Sequence, residues 1–424
     1  MPLKPAPGTA SATALVIASM IGTGVFTSLG YQLPDLTSGP QILFLWALGG
    51  VIALCGALCY AAVAEALPRS GGEHHFLTEL YHPALGFTAG ILSALVGFAA
   101  PTAITALAFG EYLHKALPGV PVQAAAAGVV LVGSAAHAIN ATASARVQLG
   151  ATGLKLLLIL LFLVAVLILP GEGDIRWTPA PADDLRGILQ PAFAISLFFV
   201  FYSYSGWNAA VYGLEEWDQP ERTVRRALLG GTLVVALLYL ALNAAFLRAA
   251  PVEALRGEVA VGEISARHLF GDRAAAPISL LFALGLFASV SALLWAGPRV
   301  LAAMGRSTPA LRFLKPRGET PVAALGIQTV LALGFIFATG FRELVTYTQT
   351  GLALCTLLTV AGLFRLRGRI PLGKLLAPAL VFLAMTGFVV IRSVSAEPVA
   401  TLAGLATAAF IAVCGFFLTY RSPS

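Results

Sequence analysis

Apolar residues fill long uninterrupted stretches of this chain, and short polar segments separate one stretch from the next. A helix needs about 20 apolar residues to cross ~30 Å of hydrocarbon, and stretches of that length recur from one end to the other. We therefore predict twelve transmembrane helices, called spans 1 to 12, at about 10–33, 40–67, 85–113, 121–140, 146–169, 187–214, 224–249, 274–303, 320–339, 343–365, 373–392 and 398–420.

Composition narrows the class of protein further. Hydrophobic residues make up 58% of the 424 residues and charged residues 11%, and the mean hydropathy is +0.86. A soluble domain carries roughly 25% charged residues, so the composition excludes a sizeable soluble domain. All four cysteines fall inside predicted spans, where a disulfide framework is not expected.

Basic residues divide unequally between the two sides of the predicted membrane. With the N-terminus inside, the cytoplasmic segments hold 16 Lys and Arg residues and the outer segments hold 9. Because positive residues favour the cytoplasmic side, we expect a plasma (inner) membrane protein with both termini in the cytoplasm. The same short loops account for the pI of about 9.3 without a nucleic-acid partner.

Two spans contain residues that interrupt a helix. Gly22-Thr23-Gly24 lies near the middle of span 1, and a polar group from Ser203 to Asn208 lies near the middle of span 6. An unwound segment is tolerated in a membrane only where it lines a cavity or is buried in protein. For the glycines alone, close packing against a neighbouring helix is an equally good interpretation. Interruptions at corresponding positions of two halves instead indicate an inverted-repeat transporter with a midplane binding site.

The helix ends at these interruptions predict the chemistry of the ligand. The half-helix that starts near Val25 offers N–H groups and a positive dipole end to a carboxylate. The half-helix that ends near Tyr202–Tyr204 offers carbonyl groups to an ammonium group. A zwitterion such as an amino acid fits both ends without any charged side chain.

Lys155 is the basic residue that lies deep inside a span. It follows Arg146 by nine residues, which places it ~13 Å deeper along the helix axis, too far for its side chain to reach the surface. An ionisable residue at that depth faces a polar interior and is a functional candidate, so we expect its ammonium group to hold the unwound part of span 1. A purely structural lysine and a proton-coupling lysine are the other interpretations.

Several motifs together resemble one family. Ile21-Gly-Thr-Gly-Val-Phe26 resembles the glycine-rich signature of the amino acid–polyamine–organocation transporters. Ser203-Tyr-Ser-Gly-Trp-Asn208, followed by Glu215-Glu216, is similar to span 6 of their L-amino-acid transporter branch. The resemblance covers nearly the whole chain and extends to Pro68–Gly72, Gln148–Lys155 and Thr320–Val322.

The resemblance implies an all-helical leucine-transporter fold with spans 1 and 6 discontinuous. It implies a five-span repeat in residues 1–170, an inverted five-span repeat in residues 171–370 and two accessory spans in residues 371–424. It also implies that backbone around Gly22, Thr23 and Gly24 binds the substrate carboxylate, and that carbonyls of Ile21, Tyr202, Ser203, Tyr204 and Ser205 bind the amine. Tyr202 matches the position at which the family has an aromatic gate over the substrate, and Asn208 matches a polar position near the site. Lys155 resembles the lysine that occupies the place of a sodium ion in sodium-independent members.

Two features depart from the family pattern. Eukaryotic members pair with a heavy subunit through a cysteine after span 3, but residues 114–121 contain no cysteine, so we expect no disulfide-linked partner. Glu73-His74-His75 replaces an expected tyrosine-rich stretch. A solvated loop is the favoured interpretation of this segment, and a pH-sensitive inner gate is the alternative.

The side-chain pocket is predicted less directly than the backbone site. No acidic residue lies mid-span in spans 1, 3, 6, 8 or 10, so a neutral amino acid is favoured, carried without sodium by exchange or by proton symport. The candidates for lining the pocket are Trp207, Ser289, Ser291 and Trp295. A transporter of cationic amino acids or polyamines, and an amino-acid sensor, are alternatives on the same fold. A membrane enzyme is disfavoured because the histidines lack metal-ligand spacing and no nucleophile motif or cofactor site is evident.

Overall fold

The computed structural model describes residues 8–139, 141–316 and 321–420, without the side chains of residues 141–152, 274, 275, 307, 310, 419 and 420. Three of the 16 basic residues counted on the cytoplasmic side, Lys4, Arg317 and Arg421, lie outside these ranges. Thr320, which belongs to one of the family motifs, lies outside them as well. The side chains of Arg146 and Gln148 also lie outside the described part of the chain.

Helices form the regular structure of the described ranges. Eighteen α-helices follow one another as α1 (Thr9–Met20), α2 (Gly24–Gln32), α3 (Gly39–Ala66), α4 (Glu73–Leu80), α5 (Pro83–Leu92), α6 (Ala100–Ala116), α7 (Val122–Ile139), α8 (Ala141–Ile168), α9 (Pro181–Ile188), α10 (Pro191–Tyr204), α11 (Pro220–Ala249), α12 (Val252–Leu255), α13 (Val261–Phe270), α14 (Ala275–Ser307), α15 (Val322–Ala338), α16 (Phe341–Gly362), α17 (Leu372–Ala396) and α18 (Pro398–Tyr420). A π-helical stretch, Ser93–Ala99, joins α5 to α6, and short 3₁₀ segments follow α10, α13, α14 and α16.

Nine helical runs in the described residues are long and apolar enough to cross a membrane. A tenth crossing is counted if Pro181–Ile188 and Pro191–Glu216, which meet at a bend of 70°, form one broken span. Two shorter apolar helices, Gly153–Ile168 and Val322–Ala338, coincide with predicted spans 5 and 9. Each predicted span therefore overlaps an apolar helix, while the number twelve itself stays a prediction.

Both helix interruptions expected from the sequence are present. In span 1, α1 ends at Met20 and α2 begins at Gly24. In span 6, α10 ends at Tyr204 and is followed by a turn and the 3₁₀ segment Ala209–Glu216. Every residue of α2 except Tyr31 is buried, which is expected of a helix surrounded by protein on all sides. Helices α8, α17 and α18 instead expose many leucine and phenylalanine side chains, as expected of a lipid-facing surface.

Short helices in the connections did not follow from the search for apolar stretches. Helix α4 begins at Glu73, and helix α9 carries acidic residues in its first turn and Arg186 in its last, which matches the helix dipole. Ser38 and Arg176 both contact Asp184 of α9, so this helix is fastened to the start of α3.

Candidate functional site

The two helix interruptions lie against each other. Gly24 begins α2 directly beside Ser203, and a Cβ atom added at Gly24 would lie 2.5 Å from the Cα atom of Ser203. Gly206 has a φ of +101°, and a Cβ atom there would lie 2.6 Å from the carbonyl oxygen of Ser19. Glycine is therefore required at both positions, at the first because two backbones meet and at the second also because of the left-handed φ.

Backbone N–H groups at the start of α2 lie at this meeting point. The Gly22 N–H donates to the Met20 carbonyl at 2.8 Å and the Phe26 N–H to the Thr23 carbonyl at 2.9 Å. The first two N–H groups of α2 have no acceptor within their own helix. A Cβ atom added at Gly22 would contact little, its nearest neighbour being the Met20 carbonyl oxygen at 4.0 Å. The backbone beside Gly22 therefore has room for a ligand group.

Tyr202 lies against the first interruption. Its hydroxyl lies 3.4 Å from the Thr23 hydroxyl, and both residues are buried. The Ser203 hydroxyl instead donates to the Phe199 carbonyl at 2.9 Å and lies 3.0 Å from the Ser28 hydroxyl. The Tyr202 side chain thus contacts the unwound segment itself, whereas the Ser203 side chain joins α10 to α2.

Lys155 reaches the unwound segment of the first helix. Its ammonium group donates to the Ile21 carbonyl at 2.6 Å and to the Ser289 hydroxyl at 3.0 Å, and the residue is buried. The contact ties α8 and α14 to the first interruption. It also uses the Ile21 carbonyl that the family resemblance assigns to the substrate amine, so that carbonyl has one remaining lone pair for a ligand.

Tyr239 of α11 is a site residue that the sequence did not indicate. Its hydroxyl lies 2.6 Å from the Met20 carbonyl and 3.0 Å from the Ser203 carbonyl, and it therefore shares its single proton between the ends of α1 and α10. The residue sits in an apolar stretch without a motif, so its sequence gives no sign of this contact.

The second interruption lines a polar cavity of about 60 Å³. The Ser205 hydroxyl lies 3.3 Å from the Gln349 side-chain oxygen across this cavity. The predicted residues Tyr204, Ser205, Trp207 and Asn208 all line it, together with Glu73, Gln349 and Thr386. Gln349 lies in the polar run Thr346–Thr350 of span 10, a signal that the search for acidic side chains passed over.

Glu73 is buried, so the prediction of a solvated loop at Glu73-His74-His75 was wrong for this residue. Its carboxylate accepts hydrogen bonds from the hydroxyls of Tyr60 and Tyr212, at 2.9 and 2.6 Å, and from the side-chain amide of Asn208. We call these four side chains the Glu73 cluster. The hydrogen bonds from these three neutral donors compensate for the burial of the carboxylate. Because the four residues lie in α3, in α4 and in the segment after α10, the cluster joins these elements.

Other candidate residues of the sequence lie apart from the cavity. The Ser291 hydroxyl pairs with Nε2 of His137 at 3.0 Å, and Trp295 packs under Arg299. Ser289 contacts Lys155 rather than the cavity. Tyr204 does line the cavity, but its hydroxyl donates to the Trp46 carbonyl at 3.0 Å. Of the four side chains expected to line the pocket, only Trp207 therefore lines the polar cavity.

An aromatic stack connects the two interrupted helices to a third helix. The Tyr31 ring stacks on the rings of Phe199 and Phe341, with centroids at 5.5 and 5.9 Å and nearly parallel planes. These three rings belong to α2, α10 and α16, so the stack joins one half of each interrupted helix to α16. Arg342, beside it, forms an ion pair with Glu397 at 2.6 Å.

Comparison with known proteins gives a consistent result. The family model described as "Amino acid permease" matches residues 8–421. The b(0,+)-type amino acid transporter 1 of Mus musculus is 27% identical over 377 residues, covering 85% of this chain and 75% of that protein. The large neutral amino acids transporter small subunit 2 of Homo sapiens is 27% identical over 423 residues, covering 95% and 78%. The cystine/glutamate transporter of Pongo abelii is 26% identical over 366 residues, covering 84% and 73%.

The name of one relative bears on the question of partners. The human relative is named a small subunit, which describes a member of a larger assembly. This conflicts with the expectation of no disulfide-linked heavy subunit, which rested on the lack of cysteine between residues 114 and 121. The name describes the relative, and a pairing is not shown for this chain.

Proposed function

The chain belongs to the amino acid permease family, and from that membership we propose that it carries neutral L-amino acids across the plasma membrane by alternating access, without sodium. The relatives that match most of its length are amino acid transporters, and its structure is a bundle of apolar helices. The observation that carries the proposal is the contact between the two interrupted helices at Gly24 and Ser203.

The backbone at this contact supports recognition of a zwitterion. The N-terminus of α2 supplies N–H groups and a positive dipole end for the carboxylate at Gly22, Thr23 and Gly24. The end of α10, from Tyr202 to Ser205, together with Ile21 supplies carbonyl groups for the ammonium group. Tyr202 then acts as the gate, because its hydroxyl lies beside Thr23 at the first interruption.

Lys155 supports transport without sodium. Its ammonium group contacts a carbonyl oxygen and a hydroxyl oxygen, which are also the ligand types of a sodium ion. A protonated lysine at this position stabilises the unwound segment in the absence of a dissolved sodium ion. Coupling to exchange or to protons is compatible with this geometry, and the experiment below separates the two.

A neutral substrate side chain is favoured over a cationic one. Glu73 lines the polar cavity and is the observation in favour of the cationic alternative. Both of its carboxylate oxygens already accept hydrogen bonds from the Glu73 cluster, which reduces its capacity to bind a substrate cation. Competition by lysine and by leucine in the same uptake assay distinguishes the two classes.

The proposal includes a five-span repeat in residues 1–170, its inverted copy in residues 171–370 and accessory helices in residues 371–424. The interruptions in the first helix of each unit support it, since matched interruptions mark inverted repeats. The excess of basic residues in alternate loops supports cytoplasmic termini.

Reconstitution into liposomes tests the function. We expect saturable uptake of labelled neutral L-amino acids into liposomes preloaded with unlabelled ones, unchanged when choline replaces sodium. Uptake that needs internal substrate indicates exchange, and uptake into empty liposomes driven by an inward proton gradient indicates symport. Absence of saturable uptake for every amino acid, with or without a proton gradient, would contradict the transporter proposal and leave the sensor alternative.

A further inference from the structure

Arg299 is a positive charge in a membrane helix without a carboxylate partner among the described residues. Its guanidinium carbon lies 3.8 Å from the centroid of the Trp295 ring, and Nη1 donates to the Trp295 carbonyl one turn earlier in α14. A guanidinium group has five N–H donors in a planar fork. Stacking on Trp295 fixes the plane of this fork and leaves donors for an anion.

The surroundings of Arg299 form a cleft between three helices. Residues of α7, α14 and α15, with the residue preceding α15, line it: His137, Leu294, Trp295, Pro298, Arg299, Pro321 and Leu325. None of the described residues that line the cleft is acidic. Nε2 of His137 lies 3.0 Å from the Ser291 hydroxyl, so Arg299 is the charged group of the described lining and supplies the N–H donors that fit an anion.

Lipid-facing residues border this cleft on both sides. Ile139 at the end of α7 and Val322 at the start of α15 are exposed by 85% and 56%, and Val132 and Val330 are exposed further along the same helices. Exposed aliphatic side chains on a membrane helix contact acyl chains. A ligand at the mouth of the cleft therefore meets lipid rather than protein on its outer side.

The length of α14 places Arg299 near the membrane surface. Helix α14 has 33 residues and is therefore ~50 Å long, well beyond the ~30 Å of hydrocarbon. Arg299 lies eight residues before its last residue, ~12 Å from that end. The connection that follows has Arg312, Lys315 and the aromatic ring of Phe313 exposed, which is typical of a segment at the headgroup level.

From these contacts we propose that the cleft between α7, α14 and α15 binds the phosphate of an anionic phospholipid, with Arg299 as the residue that contacts it. A guanidinium group matches phosphate with two parallel hydrogen bonds. Basic clefts between membrane helices on the cytoplasmic side bind anionic headgroups in this way. The acyl chains of the same lipid lie along the exposed faces of α7 and α15.

Native mass spectrometry of the purified full chain tests the site with phosphatidylglycerol and phosphatidylcholine as probes. We expect the wild type to retain phosphatidylglycerol and not phosphatidylcholine, and Arg299→Gln to bind phosphatidylglycerol about ten-fold more weakly. Arg299→Lys keeps the charge without the fork and gives an intermediate affinity. Arg392→Gln, at the other end of the bundle, serves as the matched control and binds as the wild type does.

Three outcomes overturn the proposal. Equal retention of phosphatidylglycerol by the wild type and by both Arg299 variants excludes Arg299 as the contact. Equal retention of phosphatidylcholine and phosphatidylglycerol excludes recognition of a negative headgroup. Retention of inorganic phosphate equal to that of phosphatidylglycerol identifies a free anion instead of a lipid. The readout is lipid retention rather than uptake, so it does not depend on the substrate proposed above.

Discussion

Single hydroxyl and ammonium groups hold the backbone of both helix interruptions. Tyr239 contacts the carbonyls of Met20 and Ser203, and Lys155 contacts the carbonyl of Ile21. Carbonyl groups at helix ends lack a partner within the helix, and a buried one without a partner costs several kcal/mol in a membrane. These two side chains therefore satisfy the carbonyl groups at the interruptions, and the first N–H groups of α2 remain for a ligand.

Removal of the Lys155 ammonium group should impair transport more than it impairs folding. Lys155→Ala deletes two hydrogen bonds to a charged group, each worth about 1.5–3 kcal/mol, so we expect uptake to fall at least ten-fold. Lys115→Ala is the matched control, because Lys115 is exposed and pairs only with Glu258 at the surface. Uptake in liposomes and monodispersity on size exclusion are measured together, and full activity of Lys155→Ala would refute its role.

The Tyr202–Thr23 contact should contribute to holding the substrate. Tyr202→Phe removes one hydroxyl and keeps the ring, so we expect the apparent affinity for substrate to fall by about two- to ten-fold. Thr23→Val and the double variant complete a double-mutant cycle. We expect the loss of apparent affinity in the double variant to be smaller than the sum of the two single losses. Tyr347→Phe, which removes a hydroxyl bonded to Thr407 in α18, is the control. Additive losses would show that the two hydroxyls act separately.

At the scale of the elements, sequence reasoning located the interrupted helices and missed what surrounds them. Gly22 to Gly24 and Ser203 to Asn208 stand out because glycine and polar side chains are unfavourable in a membrane helix. Glu73 stood out as a departure from the family pattern, but its position after span 2 favoured a solvated loop. Only the tertiary fold brings Tyr60, Tyr212 and Asn208 around it. Tyr239 and Gln349 were missed for the same reason, since partners distant in sequence decide their roles.

The Glu73 cluster should hold α4 against α3 and the segment after α10. Glu73→Gln replaces an acceptor oxygen with a donor and leaves at least one buried group without a partner, at a cost of about 1–3 kcal/mol. We expect a lower melting temperature in detergent and slower counterflow. Glu79→Gln, exposed on the same helix, should change neither. An unchanged melting temperature for Glu73→Gln would contradict the structural role of the cluster.

Helix α9 should loosen in acid. The Ser38 hydroxyl, the Arg176 guanidinium and the Ala180 N–H all donate to Asp184 and lower the pKa of its carboxyl to about 2. A lowered pKa in the folded state gives stability above the usual carboxyl pKa, and this stability is lost as the pH falls from about 4 to about 2. The melting temperature should therefore fall less steeply over this interval in Asp184→Asn than in the wild type.

Asp183→Asn is the control for this measurement, because Asp183 is exposed and lies 4.0 Å from Arg186. We expect its melting temperature to follow that of the wild type throughout the acid interval. Identical pH profiles for Asp184→Asn and the wild type would show that α9 is not held by this carboxylate.

For the whole molecule, the distribution of basic residues predicts which loops face the cytoplasm. Arg69, after α3, belongs to the predicted inner side, and Thr178, before α9, belongs to the outer side. In a chain with its four cysteines replaced, a membrane-impermeant maleimide should label Thr178→Cys on intact cells and Arg69→Cys only after lysis. Labelling in the opposite order would invert the topology.

The contact between Lys155 and Ile21 also limits how the protein can use energy. An ammonium group that belongs to the polypeptide and stays protonated returns to the same place in every cycle, so its net displacement is zero. Unlike a co-transported ion, it then transfers no electrochemical work from one compartment to the other. On the proposed mechanism, uphill accumulation of an amino acid must draw on the gradient of a second solute, either an exchanged amino acid or a proton, and with neither present the protein only equalises concentrations.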